Sequence, residues 1–151
     1  NYSRPGKECR HNLGYWSRVP YLGVGIGSAS LFNEKRATNI RDIYKYMDIA
    51  EKLKNNEEFD YEFSSPFYEE ENELSRKDAM EEFMYLGLRK IEGIYRGDFY
   101  QMFNRDIDSV YGPLITALRQ KGFVDAAEGR IFLTDIGIDI SNQILSQFLL
   151  D

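Results

Sequence analysis

At 151 residues, 42% apolar and 15% aromatic against 29% charged, the chain has the composition of a folded domain and not of a disordered tail. No run approaches the roughly 18 consecutive apolar residues that cross a bilayer, and no charged-then-apolar leader is legible, so the expected address is cytoplasmic; the single Cys9 excludes an internal disulfide framework or a cluster with several thiolate ligands. The net charge of −6 averages unlike blocks: residues 1–54 hold 10 basic and 5 acidic side chains, residues 55–82 hold 2 and 11, and residues 83–151 hold 7 and 9, so an anionic ligand is expected to meet the N-terminal block.

The chain opens on Asn1-Tyr2-Ser3-Arg4-Pro5-Gly6 with neither an initiating Met nor a cap, and is expected to begin inside a folded unit. Residues 1–54 read as a polar arm, a strand and a helix. In YLGVGIGSASLF, Leu22, Val24 and Ile26 alternate with Gly23, Gly25 and Gly27, which predicts a strand from Gly23 to Ser30 with one apolar face and one bare-backbone face open to a ligand. Asn39 is expected to cap a helix carrying Ile40, Ile43, Tyr44, Met47 and Ala50. A strand followed by a helix is the repeat unit of α/β barrels.

Residues 55–74 are acidic, contain Pro66 and keep no steady period, which predicts a connecting segment. Residues 75–151 read as a second domain. Ser75 and Asp78 form an acidic variant of a capping box ahead of a stripe of Met80, Phe83, Met84, Gly87, Leu88 and Ile91. Asp98 is expected to cap a short helix, and Pro113 to restart the next one, whose well-formed part is placed from Pro113 to Lys121. Two strands around Ala126-Ala127-Glu128-Gly129 predict a hairpin, and Thr134 caps a last helix running through Ile136, Ile140, Ile144 and Phe148. The order helix, helix, helix, hairpin, helix is that of a winged helix, and the whole reads as α+β.

A winged helix raises the question of nucleic acid. Its recognition candidate, Asp106 to Gly122, sets Asp106 and Asp108 against Arg119 and Lys121, with no basic excess to neutralise phosphates, and no nucleic-acid partner is expected. Gly23, Gly25 and Ser28 fit G-x-G-x-x-[GSA] only superficially, since no helix opens on the third position. One histidine supports no Ser-His-Asp triad, and Glu69 to Glu71 and Glu81-Glu82 read as a solvated acidic face; no catalytic residue and no metal site are assigned.

The arm ECRHNLGYW is the most informative stretch. His11, Asn12, Tyr15 and Trp16 lie close to Arg4, Lys7, Arg10 and Arg18, a mixture suited to a planar apolar ligand bearing carboxylates: aromatics to stack on it and cations to pair its acids. By composition His11 is either an axial ligand to haem iron or a structural residue.

The strings SRPGKECRHNLGYW, YLGVGIGSAS, ELSRKDAMEEFMYLGLR and LTDIGIDISNQIL, in this order, resemble the radical-SAM oxygen-independent coproporphyrinogen III oxidase family, and within it the HemW haem-chaperone branch. The resemblance implies a partial TIM-like barrel that ends in residues 1–54 and a winged-helix-like C-terminal domain in 75–151. It implies a [4Fe-4S] cluster and S-adenosyl-L-methionine in the intact protein, held by a C-x-x-x-C-x-x-C motif not found here. It places Gly23, Gly25, Gly27 and Ala29 beside the S-adenosylmethionine site, and matches His11, Asn12, Tyr15 and Trp16 to the stretch associated with haem in the chaperone branch. The implied function is binding of haem and its delivery to acceptor proteins, without catalysis by this chain itself; the alternative is an authentic coproporphyrinogen oxidase acting on porphyrinogen. Self-association through uncovered barrel surfaces is a further expectation.

Overall fold

The computed structural model describes Ser3, Arg4 and residues 6–150; Asn1 and Tyr2, Pro5 of the SRPGKECRHNLGYW string, and Asp151 lie outside the described residues. In chain order the elements are α1 (Arg10–Trp16), β1 (Ala29–Phe32), β2 (Lys35–Asn39), α2 (Ile43–Lys54), β3 (Tyr68–Glu73), α3 (Arg76–Gly87), β4 (Ile94–Tyr95), α4 (Arg96–Phe103), α5 (Ile107–Gln120), β5 (Val124–Ala127), β6 (Arg130–Leu133), α6 (Asp135–Asp139) and α7 (Ser141–Leu145), closed by a 3-10 turn at Ser146–Phe148. They fall into two compact units. One joins the stretch through Val19 to the stretch from Arg76 onward, and the other is Pro20–Ser75. The polar arm of the expected 1–54 block therefore packs with the C-terminal elements.

The larger unit is a winged helix. Met80, Met84 and Leu88 recur every fourth residue on and just beyond α3, and Ile107, Tyr111, Ile115 and Leu118 recur three or four apart on α5; all seven are buried, so each helix turns one apolar stripe inward. Phe99 and Phe103 of α4 join them, with Phe83–Phe99 ring centroids at 5.4 Å and Tyr111–Phe148 at 5.5 Å. The wing is the β5–β6 hairpin, with Ala127 paired to Arg130, and β4 adds to the other edge of β6 to give the sheet order β4-β6-β5. Its two-residue turn, Glu128-Gly129, has φ of 53° and 76°, the left-handed pair that matches the twist of antiparallel strands.

Three expectations for this unit change. The helix containing Pro113 is continuous from Ile107, because Asp106 caps it, its carboxylate accepting from the Asp108 N–H at 2.8 Å, and the buried stripe on both sides of Pro113 outweighs one missing donor. Asp98 lies in the first turn of α4 and does not cap it; the cap position is Tyr95. The last helix is broken into α6, α7 and the 3-10 turn at Ile140, which leaves the helical region (φ −112°, ψ 23°) so that Ile144, Leu145 and Phe148 reach the core while Ile136 stays exposed. Thr134 does cap α6, its hydroxyl accepting from the Gly137 N–H at 3.1 Å.

The smaller unit is an antiparallel sheet in the order β1-β2-β3 with α2 after β2, and no barrel closes among the described residues. The predicted strand from Gly23 is a loop as far as Ser28, and extended pairing begins only at Ala29. Its apolar residues found no cover: Val24 is 88% exposed. Asn39 ends β2, and Asp42 is the cap of α2, accepting from the Tyr44 N–H at 2.8 Å and the Lys45 N–H at 3.2 Å. The acidic segment supplies an edge strand as well as a connection. Glu73 pairs in register with Lys35, and the Glu71 and Glu69 carboxylates lie 3.9 Å from Lys35 and 3.3 Å from Arg41, so the basic β2 region neutralises the acidic run beside it.

Candidate functional site

Residues four apart on a helix share a face, so α1 sorts its residues into two neighbouring faces. His11 and Tyr15 are on the exposed one, with ring centroids 4.5 Å apart at an interplanar angle of 72°. Asn12 and Trp16 are on the half-buried one. Trp16 lines two grooves of the larger unit. The wider, about 400 Å³, is lined by Trp16, Phe83, Ile94, Met102, Lys90 and Asp98; the narrower, about 270 Å³, has Trp16, Leu88, Lys90, Leu133 and Ile138 among its walls. Lys90 borders both and its ammonium donates to the Ser17 hydroxyl at 3.3 Å.

The helix stops in a specific way. The Val19 N–H donates to the Gly14 carbonyl at 3.0 Å and the Arg18 N–H to the Tyr15 carbonyl at 3.1 Å, the two bonds of a Schellman end, with Arg18 in the left-handed position at φ 52°. Glycine usually stands there; a residue with a Cβ costs about 1 kcal/mol and persists only where its surroundings hold it. Here they do. The Arg18 Nε donates to the Glu82 carboxylate of α3 at 3.1 Å, with the two side chains 2% and 6% exposed, and its Nη1 reaches the Met102 sulfur of α4 at 3.6 Å.

This overturns two readings from sequence. Arg18 is not available to pair a ligand's carboxylates, and Glu81 and Glu82 are buried, not part of a solvated face, with Glu81 accepting from the Leu150 N–H at 2.7 Å. Arg4, Lys7 and Arg10 are exposed and remain the cations of the arm. Neither partner of the Arg18–Glu82 pair stands out from a neighbouring arginine or glutamate in sequence, since the signal is a contact across 64 positions.

The glycine segment has its own local logic. A Cβ on Gly23 would overlap the Ala29 carbonyl oxygen, and Gly25 sits at φ 95°, so the bare backbone serves the loop's own close approach. Asn39 ties the loop down: its amide donates to the Gly25 carbonyl at 2.9 Å and the Ser28 hydroxyl at 3.0 Å. Gly27, also at positive φ, and the exposed Ala29 complete the segment. The structure thus supplies a folding reason for Gly23 and for the tie between Gly25 and Asn39.

Cys9 is exposed, and among the described residues no three His, Cys, Asp or Glu side chains converge to hold a metal, so this donor set does not fit a [4Fe-4S] cluster. Imidazole, indole and phenol groups share α1 with the Arg10 cation, and Arg4 and Lys7 are exposed just before it; these are group types that can stack on and pair with a flat tetrapyrrole bearing carboxylate arms. On the recognition-like helix α5, Arg119 is drawn to Asp125 of the wing at 3.4 Å. Among the described residues no helix is long and apolar enough to cross a membrane.

The fold is thus a winged-helix domain with an aromatic and imidazole-bearing helix locked onto it. Residues 74–140 match the HemN C-terminal domain family. The chain is 31% identical over 99% of its length to "Heme chaperone HemW" of Bacillus subtilis and 32% identical over its whole length to "Heme chaperone HemW" of Lactococcus lactis, and it spans 36% of the length of each. In fold it resembles coproporphyrinogen III oxidase (HemN) from Escherichia coli, with a TM-score of 0.60 over 85% of this chain and 28% of that one, at 18% identity. Residues 74–140 thus carry a HemN C-terminal domain, and the chain as a whole is similar in sequence to the HemW proteins.

Proposed function

We propose that the protein carrying this chain is a haem chaperone of the HemW kind, which binds haem and passes it to acceptor proteins, and that α1 with the winged-helix domain supplies part of the haem surface. The observation that carries this reading is the arrangement on α1: His11 and Tyr15 are presented outward, Trp16 borders grooves of the adjoining domain, and Arg4, Lys7 and Arg10 are exposed nearby in sequence. An outward imidazole can ligate iron, aromatic rings stack on the macrocycle, and basic side chains pair the propionates. Similarity to proteins named as haem chaperones runs the whole length of the chain, whereas the likeness to the oxidase is one of fold. In the whole protein a [4Fe-4S] cluster and S-adenosylmethionine would be held by residues other than those of this chain, with Gly23 to Ala29 lying near the latter. The setting proposed is the cytoplasm.

The test is haem titration of the whole protein, followed by its absorbance, beside a variant in which His11 and Trp16 are replaced together. Loss of at least about tenfold in affinity is expected, the energy of roughly one good contact. Equal affinity would remove the arm from haem binding. Catalytic turnover of coproporphyrinogen by the whole protein would overturn the chaperone reading.

A further inference from the structure

Arg18 joins two features that ordinarily occur apart: it occupies a left-handed helix-end position that favours glycine, and its side chain is buried in an ion pair with Glu82. Either feature alone would have a bland explanation. A helix end needs only a residue that tolerates positive φ, and a buried ion pair can be exchanged for apolar residues without loss of fold. Together they make the point at which the motif helix stops the same point at which it is fastened to α3 and, through Met102, to α4. Trp16 lies two residues before this anchor, so the rotation of α1 that sets Trp16 against both grooves is held by it. Cys9, at the other end of α1, makes no side-chain cap, which leaves Arg18 as the stronger of the two restraints.

Building on the haem reading above, we propose that Arg18 and Glu82 are positioning residues for haem binding: they lock the motif helix onto the HemN C-terminal domain in the orientation that turns His11 and Tyr15 outward to the macrocycle while Trp16 borders the domain's grooves. Neither residue touches haem in this account. Their effect passes through the attitude of α1, so disturbing them weakens binding while leaving every haem-contacting side chain in place.

Arg18→Gly separates the anchor from the helix end, because glycine adopts the left-handed position freely and keeps both Schellman bonds while the ion pair is lost. Trp16 is the sole tryptophan, so its fluorescence reports the attitude of α1 directly. In the whole protein, Arg18→Gly is expected to shift Trp16 emission to the red, weaken haem binding about tenfold and alter the absorbance band of bound haem. Arg18→Lys, which restores a cation opposite Glu82, is expected to recover most of the affinity. Glu82→Gln keeps the shape and a hydrogen-bond acceptor; it provides a milder variant, expected to lose about threefold, should Arg18→Gly fold poorly. Wild-type affinity, haem spectrum and Trp16 emission in Arg18→Gly, or in Glu82→Gln if the former does not fold, would overturn the proposal while leaving the haem reading standing. Failure of the unaltered protein to bind haem, or indifference to joint replacement of His11 and Trp16, would overturn both.

Discussion

The two compact units use apolar residues in opposite ways. The winged-helix unit closes its helical stripes into a continuous core, from Met80 on α3 to Phe148 at the C-terminal turn. The Pro20–Ser75 unit buries Leu31 and Ala37 in its sheet but leaves Ile43, Tyr44 and Met47 of α2 in water, Met47 at 61% exposure. Helical periodicity in α2 is about as good as in α5. What differs is whether these 151 residues include a facing surface to receive the stripe, which is decided by the chain around a helix and not by the helix.

The sharpest way to break this contrast is to delete the same side chain in each unit. Phe99→Ala should cost about 4 kcal/mol because Phe99 is wholly buried among Phe83, Phe103 and Tyr111, whereas Phe32→Ala, half exposed on β1, should cost under about 1 kcal/mol; chemical denaturation measures both. Comparable costs would mean that the smaller unit carries a core of its own.

Ion pairs draw the same line. Glu82→Ala strands the buried Arg18 cation and should cost about 3 kcal/mol, while the double change Arg18→Met with Glu82→Leu should recover most of it. Asp48→Asn, which breaks the solvent-exposed Asp48–Lys52 pair of α2, should leave the denaturation midpoint unchanged.

A smaller effect is expected at Tyr111. Its hydroxyl is buried with no hydrogen-bond partner among the described residues, so Tyr111→Phe should be neutral or stabilising by up to about 1 kcal/mol. Burial, with a lesser contribution from Glu81, pushes the phenol well above its ordinary value. The unfolded phenol ionises near pH 10 and the folded one does not, so the stability tied to its neutral form is intact below about pH 10 and lost progressively above it. Denaturation at pH 8 and pH 11 should show a smaller loss in Tyr111→Phe than in the unaltered chain.

The smallest change in stability is expected from Tyr44→Lys with Met47→Lys, both on the uncovered face of α2. Stability should not change measurably, yet sedimentation at high concentration should show less self-association. An unchanged sedimentation profile would locate any association elsewhere.

Much of the larger unit was legible because its signals are local. The buried stripes of α3 and α5, the Glu128-Gly129 turn and the Thr134 cap each follow from residues within a few positions of one another. The smaller unit misled where a local pattern had two physical origins. Alternating glycines suit a strand with a bare face, but they also suit a loop that folds over its own backbone, as Gly23 does against Ala29 and Asn39 does by bonding to Gly25. Asn39 and Asp42 are both good caps, and the choice depended on how far β2 extends. At the candidate site His11, Asn12, Tyr15 and Trp16 were visible as a chemical mixture, while the residues that aim them were not. Glu82 looked like one more surface carboxylate because its partner is 64 positions away.

Haem held by the motif helix, as fastened to this winged-helix domain, is the arrangement proposed above. It is tested most directly by the absorbance spectrum and dissociation constant of haem bound to the unaltered whole protein and to His11→Ala. Loss of an imidazole-type band together with weakened binding is the predicted result. An identical spectrum and constant in the two proteins would contradict it.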